Sequence, residues 1–161
     1  LEKGVSMVVK DSPVSGNSIT KAVMKNMGVD QKNAEKLKIQ NGLLVTPQEK
    51  EAALSAGNKE ALGVSNAVTS VLKDLASEMK KLIEFYSMQG QDRQVSRVLI
   101  SGGSANIKNW LAYFQKELNM TVERLNPFAR IAAAEGVPED YHATLAVAAG
   151  LAMRRVGDIK E

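Results

Sequence analysis

The stretch "VLISGGSANIKNWLAYFQ" (Val98–Gln115) decides the fold. Val98–Ser101 reads as a short buried strand that runs straight into Gly102-Gly103. A small-residue turn follows, then an amphipathic helix over Ile107–Asn119 and a second short strand over Met120–Glu123. A glycine pair at the carboxyl end of a strand has two readings. It is a tight structural corner, or a place where the backbone comes close to a flat ligand because no β-carbon intervenes. Strand, glycines and helix together set backbone amides beside the carboxyl edge of a sheet, where ligands of open α/β sheets bind. There is no GxxxxGK[ST] and no GxGxxG in the chain, so neither familiar phosphate signature decides between corner and cradle.

Upstream, "GVSMVVK" (Gly4–Lys10) alternates and is β-branched, which predicts a strand ending at the turn Asp11-Ser12-Pro13. "SGNSITKAVMKNMGVD" predicts a helix capped by Asn17 or Ser18, with Ile19, Val23 and Met27 on one face and Gly28 closing it. A second helix runs from a cap at Asp30 to Gly42, and "TPQE" (Thr46–Glu49) opens a third with a capping box and Pro at its first position. The strongest periodicity is the stripe from Val64 through Val68, Leu72, Leu75, Met79 and Leu82 to Tyr86, which marks one long helix packing on the core. Downstream, "LNPFARI" is irregular, and Asn126-Pro127-Phe128 plugs Phe128 into an apolar seam. "PEDYHATLAVAAGLAMRRV" (Pro138–Val156) reads as a final helix whose Ala and Gly allow close packing. Strands alternating with helices give an α/β class, a sheet covered by helices. The helical block from Ser18 to about Gly63 looks inserted between sheet elements.

The totals fit this. A chain of 161 residues makes one domain or two small lobes, and 44% hydrophobic with 24% charged residues is ordinary for a globular protein. Aromatics are only 4%, so the core is aliphatic. With no Cys, disulfides, thiolate metal sites and cysteine nucleophiles are excluded, and a single His argues against a His-rich metal centre. The net charge of +3 is spread among 18 acids without a basic cluster, which argues against nucleic-acid binding. No stretch reaches the about 20 apolar residues of a membrane span. The chain opens on Leu1 in mid-pattern, the reading of a fragment.

Few residues carry candidate chemistry. Glu35 and Lys38 stand three apart on the second helix and point from one face. They form a solvated intrahelical ion pair, or a carboxylate for ribose hydroxyls beside an ammonium for a base or phosphate. His142 has no second His or ordered carboxylate beside it and reads as a helix-start residue. Ser101 and Ser104 have no nearby base, so a nucleophilic serine is not expected.

Taken in order, "PVSGNSITKAV", "AEKLK", "LIEFYSMQ…VSRVLISGGSANIKNWLAYFQKEL", "TVERLNPFARI" and "TLAVAAGLAMRRV" resemble the carboxyl-terminal half of the type IV pilus assembly protein M (PilM) family. That family stands with the cell-division protein FtsA in the actin-like ATPase superfamily. The resemblance implies an α/β, ribonuclease-H-like second domain of an actin-like ATPase, incomplete at its amino terminus. Residues 1–16 and 64–161 would form subdomain 2A, with 17–63 as the inserted helical or α+β subdomain 2B. It implies an adenosine motif at Ser101, Gly102, Gly103 and Ser104, and Glu35 and Lys38 near adenine and ribose. The cofactor implied is ATP with magnesium in the full-length protein. No catalytic residue and no metal ligand is assigned within this chain.

The departures are equally specific. The superfamily's phosphate loops, including its Asp-x-Gly turn, have no counterpart here, and Ser15-Gly16 stands where the family has Gly-Gly. Hydrolysis by this chain alone is not expected. The resemblance implies a cytoplasmic scaffold, peripheral to the inner membrane. Its partners would be the PilN-like cytoplasmic tail of an inner-membrane pilus protein and other pilus assembly proteins, with no nucleic acid. The alternatives are the ATP lobe of a sugar- or acid-kinase-like phosphotransferase, and a protein-binding module without nucleotide.

Overall fold

The computed structural model describes residues 5–90, 93–129, 131 and 136–154. Helices come first: α1 (Gly16–Met27), α2 (Gln31–Asn41), α3 (Pro47–Ser55) and the long α4 (Lys59–Ser87). Strand β1 (Arg97–Ile100), a short 3-10 turn (Gly103–Asn106), α5 (Trp110–Leu118) and β2 (Thr121–Arg124) follow. Two short helices, α6 (Glu139–His142) and α7 (Ala146–Ala152), end the described chain.

Local capping explains most of the helix boundaries. At the start of α2, the Asp30 carboxylate accepts the Asn33 amide at 2.8 Å. Thr46 and Glu49 cap each other's backbone amides at the start of α3, with Pro47 at the first helical position. The cap of α1 is Ser15, not Asn17 or Ser18. Ser15 and Ser18 form a reciprocal pair, each hydroxyl accepting the other's amide, and this draws the helix start upstream to Gly16. Gly28 closes α1 in the left-handed region as expected.

One apolar cluster joins the helices to the strands. The buried face of α4 runs through Ala61, Val64, Val68, Leu72 and Ala76 at three- and four-residue steps. It meets Ile19 and Val23 of α1, Ala34 of α2, Leu43, Phe114 of α5 and Val122 of β2. Val64, Val68, Leu72, Ile19, Val23, Leu43, Phe114 and Val122 are the largest fully buried side chains among the described residues. Each such side chain contributes about 1.5–3 kcal/mol of burial. Only the first half of the α4 stripe is sealed in this way. Leu82, Ile83 and Tyr86 are half-buried, and Phe85 and Met88 face outward. Helix α4 is continuous across residues 63 and 64, and the buried cluster draws on both sides of that point.

The strands β1 and β2 pair in parallel, Arg97 opposite Thr121 through Ile100 opposite Arg124, with α5 as the crossover. These two strands make up the described sheet. The strand expected over Gly4–Lys10 does not form within the described residues. Val5 holds an isolated bridge and residues 6–10 are irregular, with Val5 and Val9 exposed. Alternation makes a strand only where a neighbouring edge supplies a ladder, and the described part of this segment carries a single bridge and no ladder. Gly4 and the expected helix end at Val156 lie outside the described residues.

Two further elements differ from the sequence expectation. The helix expected from Ile107 begins at Trp110, because Asn109 sits in the left-handed region at φ 62° and interrupts the ladder. The final helix is broken at residues 143–145 into α6 and α7. There the Ala143 carbonyl accepts the Gly102 amide at 2.8 Å, a bond from the glycine corner rather than from the next helical turn.

Candidate functional site

An open cleft of about 1220 Å³ lies among the described residues. One wall is α2, through Gln31, Lys32, Glu35, Lys36, Lys38 and Ile39. The facing wall is the turn after β1, through Gly103, Ser104, Asn106 and Ile107. Gly16 and Asn17 at the start of α1 and Asp140, Tyr141 and Thr144 around α6 complete the lining. Of the residues singled out from the sequence, Glu35, Lys38, Gly103 and Ser104 therefore border one space. Ser101 and Gly102 stand beside it without lining it.

Glu35 and Lys38 do more than the intrahelical pair that spacing alone describes. The Lys38 ammonium is buried, its side chain only 6% exposed, while the Glu35 side chain is 47% exposed. Lys38 Nζ lies 2.7 Å from each carboxylate oxygen of Glu35. It also donates to Thr20 Oγ1 of α1 at 3.1 Å, and the Thr20 hydroxyl reaches Glu35 Oε2 at 2.6 Å. Burial pushes the Glu35 carboxyl up. The hydrogen bonds from Lys38 and Thr20, with the charge of Lys38, outweigh it and hold the group below its ordinary value. The wall thus presents a carboxylate that is ionised at neutral pH. Lys32 and Lys36 add positive charge on the same side.

The two glycines of the corner have different reasons. Gly102 adopts φ 94°, which L side chains rarely enter, and its amide is engaged by Ala143. Gly103 has no such requirement. A β-carbon placed there meets no atom within 4 Å, although the residue borders the cleft. Close by, Gly16 packs against Ser104, its β-carbon position 2.9 Å from the Ser104 hydroxyl. Asn106 donates its amide group to the Asp140 carbonyl, while its buried Oδ1 has no hydrogen-bond partner among the described residues.

Behind the cleft the two walls are tied together. Gly42, just past α2, lies so close to Lys108 that a β-carbon would stand 2.6 Å from both the Lys108 carbonyl and its Cβ. The Leu43 amide donates to the Lys108 carbonyl at 3.1 Å. Asn109 Nδ2 donates to the Leu43 carbonyl at 2.8 Å and to Glu49 Oε1 at 2.7 Å. Glu49 in turn accepts the Val45 and Thr46 amides at 2.8 and 3.0 Å. Hydrogen bonding to the Thr46 amide leads the effects that hold its carboxyl below the ordinary value. Burial opposes it, and Val45 and Asn109 add to the lowering. This knot was not read from the sequence. The capping box at Thr46 gave Glu49 its local role, but nothing local marks Asn109, sixty residues away, as its second partner.

His142, expected as a partly exposed residue at the start of the last helix, is half-buried and closes the short α6. Its Nε2 is 3.0 Å from the Val137 carbonyl and its ring meets Phe128 edge-on at 5.4 Å. Among the described residues no helix is long and apolar enough to cross a membrane.

Comparison with known proteins gives the family. A chain of the solved "PilM-PilN type IV pilus biogenesis complex" matches with a TM-score of 0.62 at 20% identity. The match covers 86% of this chain and 36% of that one, and it fits an actin-like fold in general. No curated protein matches. The family profile described as type IV pilus assembly protein PilM matches residues 1–156. The chain belongs to the type IV pilus assembly protein PilM family.

Proposed function

We propose that this chain is the nucleotide-binding part of a cytoplasmic scaffold of type IV pilus assembly, held peripherally at the inner membrane. In this reading ATP with magnesium occupies the cleft of the full-length protein and biases its conformation, so that nucleotide binding is coupled to recruitment of partners. Residues 17–63 form the inserted lobe, and residues 1–16 with 64–161 the sheet-bearing lobe. Their facing parts, α2 and the turn after β1, supply the two walls.

The observation that carries the reading is Gly103. Its lack of a side chain is explained neither by backbone angle nor by packing within the chain, and it faces the cleft. A flat base or sugar lying on the bare backbone accounts for it. One further feature fits a nucleoside: Glu35 offers an ionised carboxylate for sugar hydroxyls. The described residues gather no group of three acids or histidines that would hold an ion, so no step is assigned to magnesium here. The residues of this chain bind and orient the nucleoside, and the work done is a change in conformational preference.

The partner is the short cytoplasmic tail of a PilN-like membrane protein, together with other pilus assembly proteins. Support comes from the fold shared with the PilM-PilN complex, of whose matched chain this one spans 36%. The test is calorimetric titration of the full-length protein with ATP and magnesium, followed by thermal melting. Saturable binding with a concentration-dependent rise in Tm is expected. No binding at millimolar nucleotide overturns the proposal, and rapid phosphorylation of a small acceptor would replace it with a kinase-like role.

A further inference from the structure

Thr20 is a buried hydroxyl residue that does not itself line the cleft. It sits on α1 and is 3% exposed, behind the Glu35–Lys38 pair of α2. Its Oγ1 lies 2.6 Å from Glu35 Oε2, 3.1 Å from Lys38 Nζ and 3.0 Å from the Gly16 carbonyl of its own helix. The hydroxyl has one proton to give. The short contact to the carboxylate is the charge-assisted one, so the proton goes to Glu35 while the oxygen accepts from Lys38. Packing alone does not require this arrangement, since valine has the same shape and buries without a polar atom.

The consequence falls on Glu35. Its Oε2 is held from behind by Thr20 and Lys38, whereas Oε1 accepts from Lys38 alone. A half-exposed glutamate would otherwise sample several rotamers, and two fixed donors on one oxygen restrict it. Resting on the nucleotide reading above, we propose that Thr20 is a positioning residue: it fixes the Glu35 carboxylate as the acceptor for a ribose hydroxyl, so that the cleft prefers ribonucleotides to deoxyribonucleotides. Thr20 touches no ligand and acts only through Glu35.

The experiment is titration of the full-length protein with ATP and with 2′-deoxy-ATP, each with magnesium, for the unaltered chain, Thr20→Val and Thr20→Ser. The unaltered protein is expected to bind ATP about tenfold more tightly than its deoxy analogue. Thr20→Val brings the ratio close to one by weakening ATP, while Thr20→Ser, which restores the hydroxyl, keeps the preference. An equal loss for both nucleotides in Thr20→Val marks a merely structural role and overturns the inference, as does an unchanged ratio. If Thr20→Val does not fold, the unaltered protein still decides, because equal affinity for the two nucleotides overturns the inference while leaving the nucleotide reading intact. Absence of binding to either nucleotide overturns that reading and this inference with it.

Discussion

Gly42, behind the cleft, and Gly103, on its wall, are glycines for opposite reasons. At Gly42 the chain itself forbids a side chain. The backbone is at φ 58°, ψ −134°, and the Lys108 main chain fills the space where a β-carbon would go. At Gly103 nothing within the chain forbids one. The first is a structural requirement that stability should report. Under the nucleotide reading proposed above, the second answers to a ligand, which only binding should report.

The largest effect expected is therefore Gly42→Ala, which combines a strained backbone with a clash against the Lys108 carbonyl. It should destabilise by roughly 3 kcal/mol or more in urea unfolding. Next is Asn109→Ala, which removes two hydrogen bonds and leaves an L residue in the left-handed region, for a loss of about 2 kcal/mol. Asn109→Gly tolerates the backbone and should recover about 1 kcal/mol of that, isolating the bonds from the strain.

A smaller effect is the pH dependence of the knot. The folded state holds the Glu49 and Glu35 carboxyls below their ordinary value. Their contribution is thus present above about pH 4.3 and lost as pH falls through the folded values. Melting curves from neutral to acid pH should show this loss, and Glu49→Gln should flatten the slope. Gly103→Ala sits last on the stability scale, within about 0.5 kcal/mol of the unaltered chain. If it melts several degrees lower, the contrast between the two glycines fails. If it melts unchanged but binds ATP at least about tenfold more weakly, the contrast is sharpened.

What the sequence disclosed, and what it hid, follows the range of the interactions. Thr46 with Glu49, Asp30 and Gly28 act within four residues, and each was readable as a cap. The α4 stripe was readable because a single period of 3.6 governs it. The cap of α1 was misplaced by two to three residues because Ser15, Asn17 and Ser18 are all competent, and only the reciprocal bond selects Ser15. The break in the last helix coincides with the bond from Gly102 to Ala143, a contact far apart in sequence. The alternation of Gly4–Lys10 promised a strand without saying what it would pair with. At the cleft, Glu35 and Lys38 were visible by their spacing, whereas Thr20, the third member of their network, comes from another helix.

Trp110 has a practical consequence. It is the chain's one tryptophan, 5% exposed, edge-on to Phe114, its buried indole N–H without a hydrogen-bond partner among the described residues. Its emission is therefore a single-site signal, blue-shifted while α5 stays docked and red-shifting once water reaches the indole. Because Trp110 follows Ile107 of the cleft wall by three residues, and its amide donates to the Ile107 carbonyl, that light is a built-in gauge of whether the wall is seated.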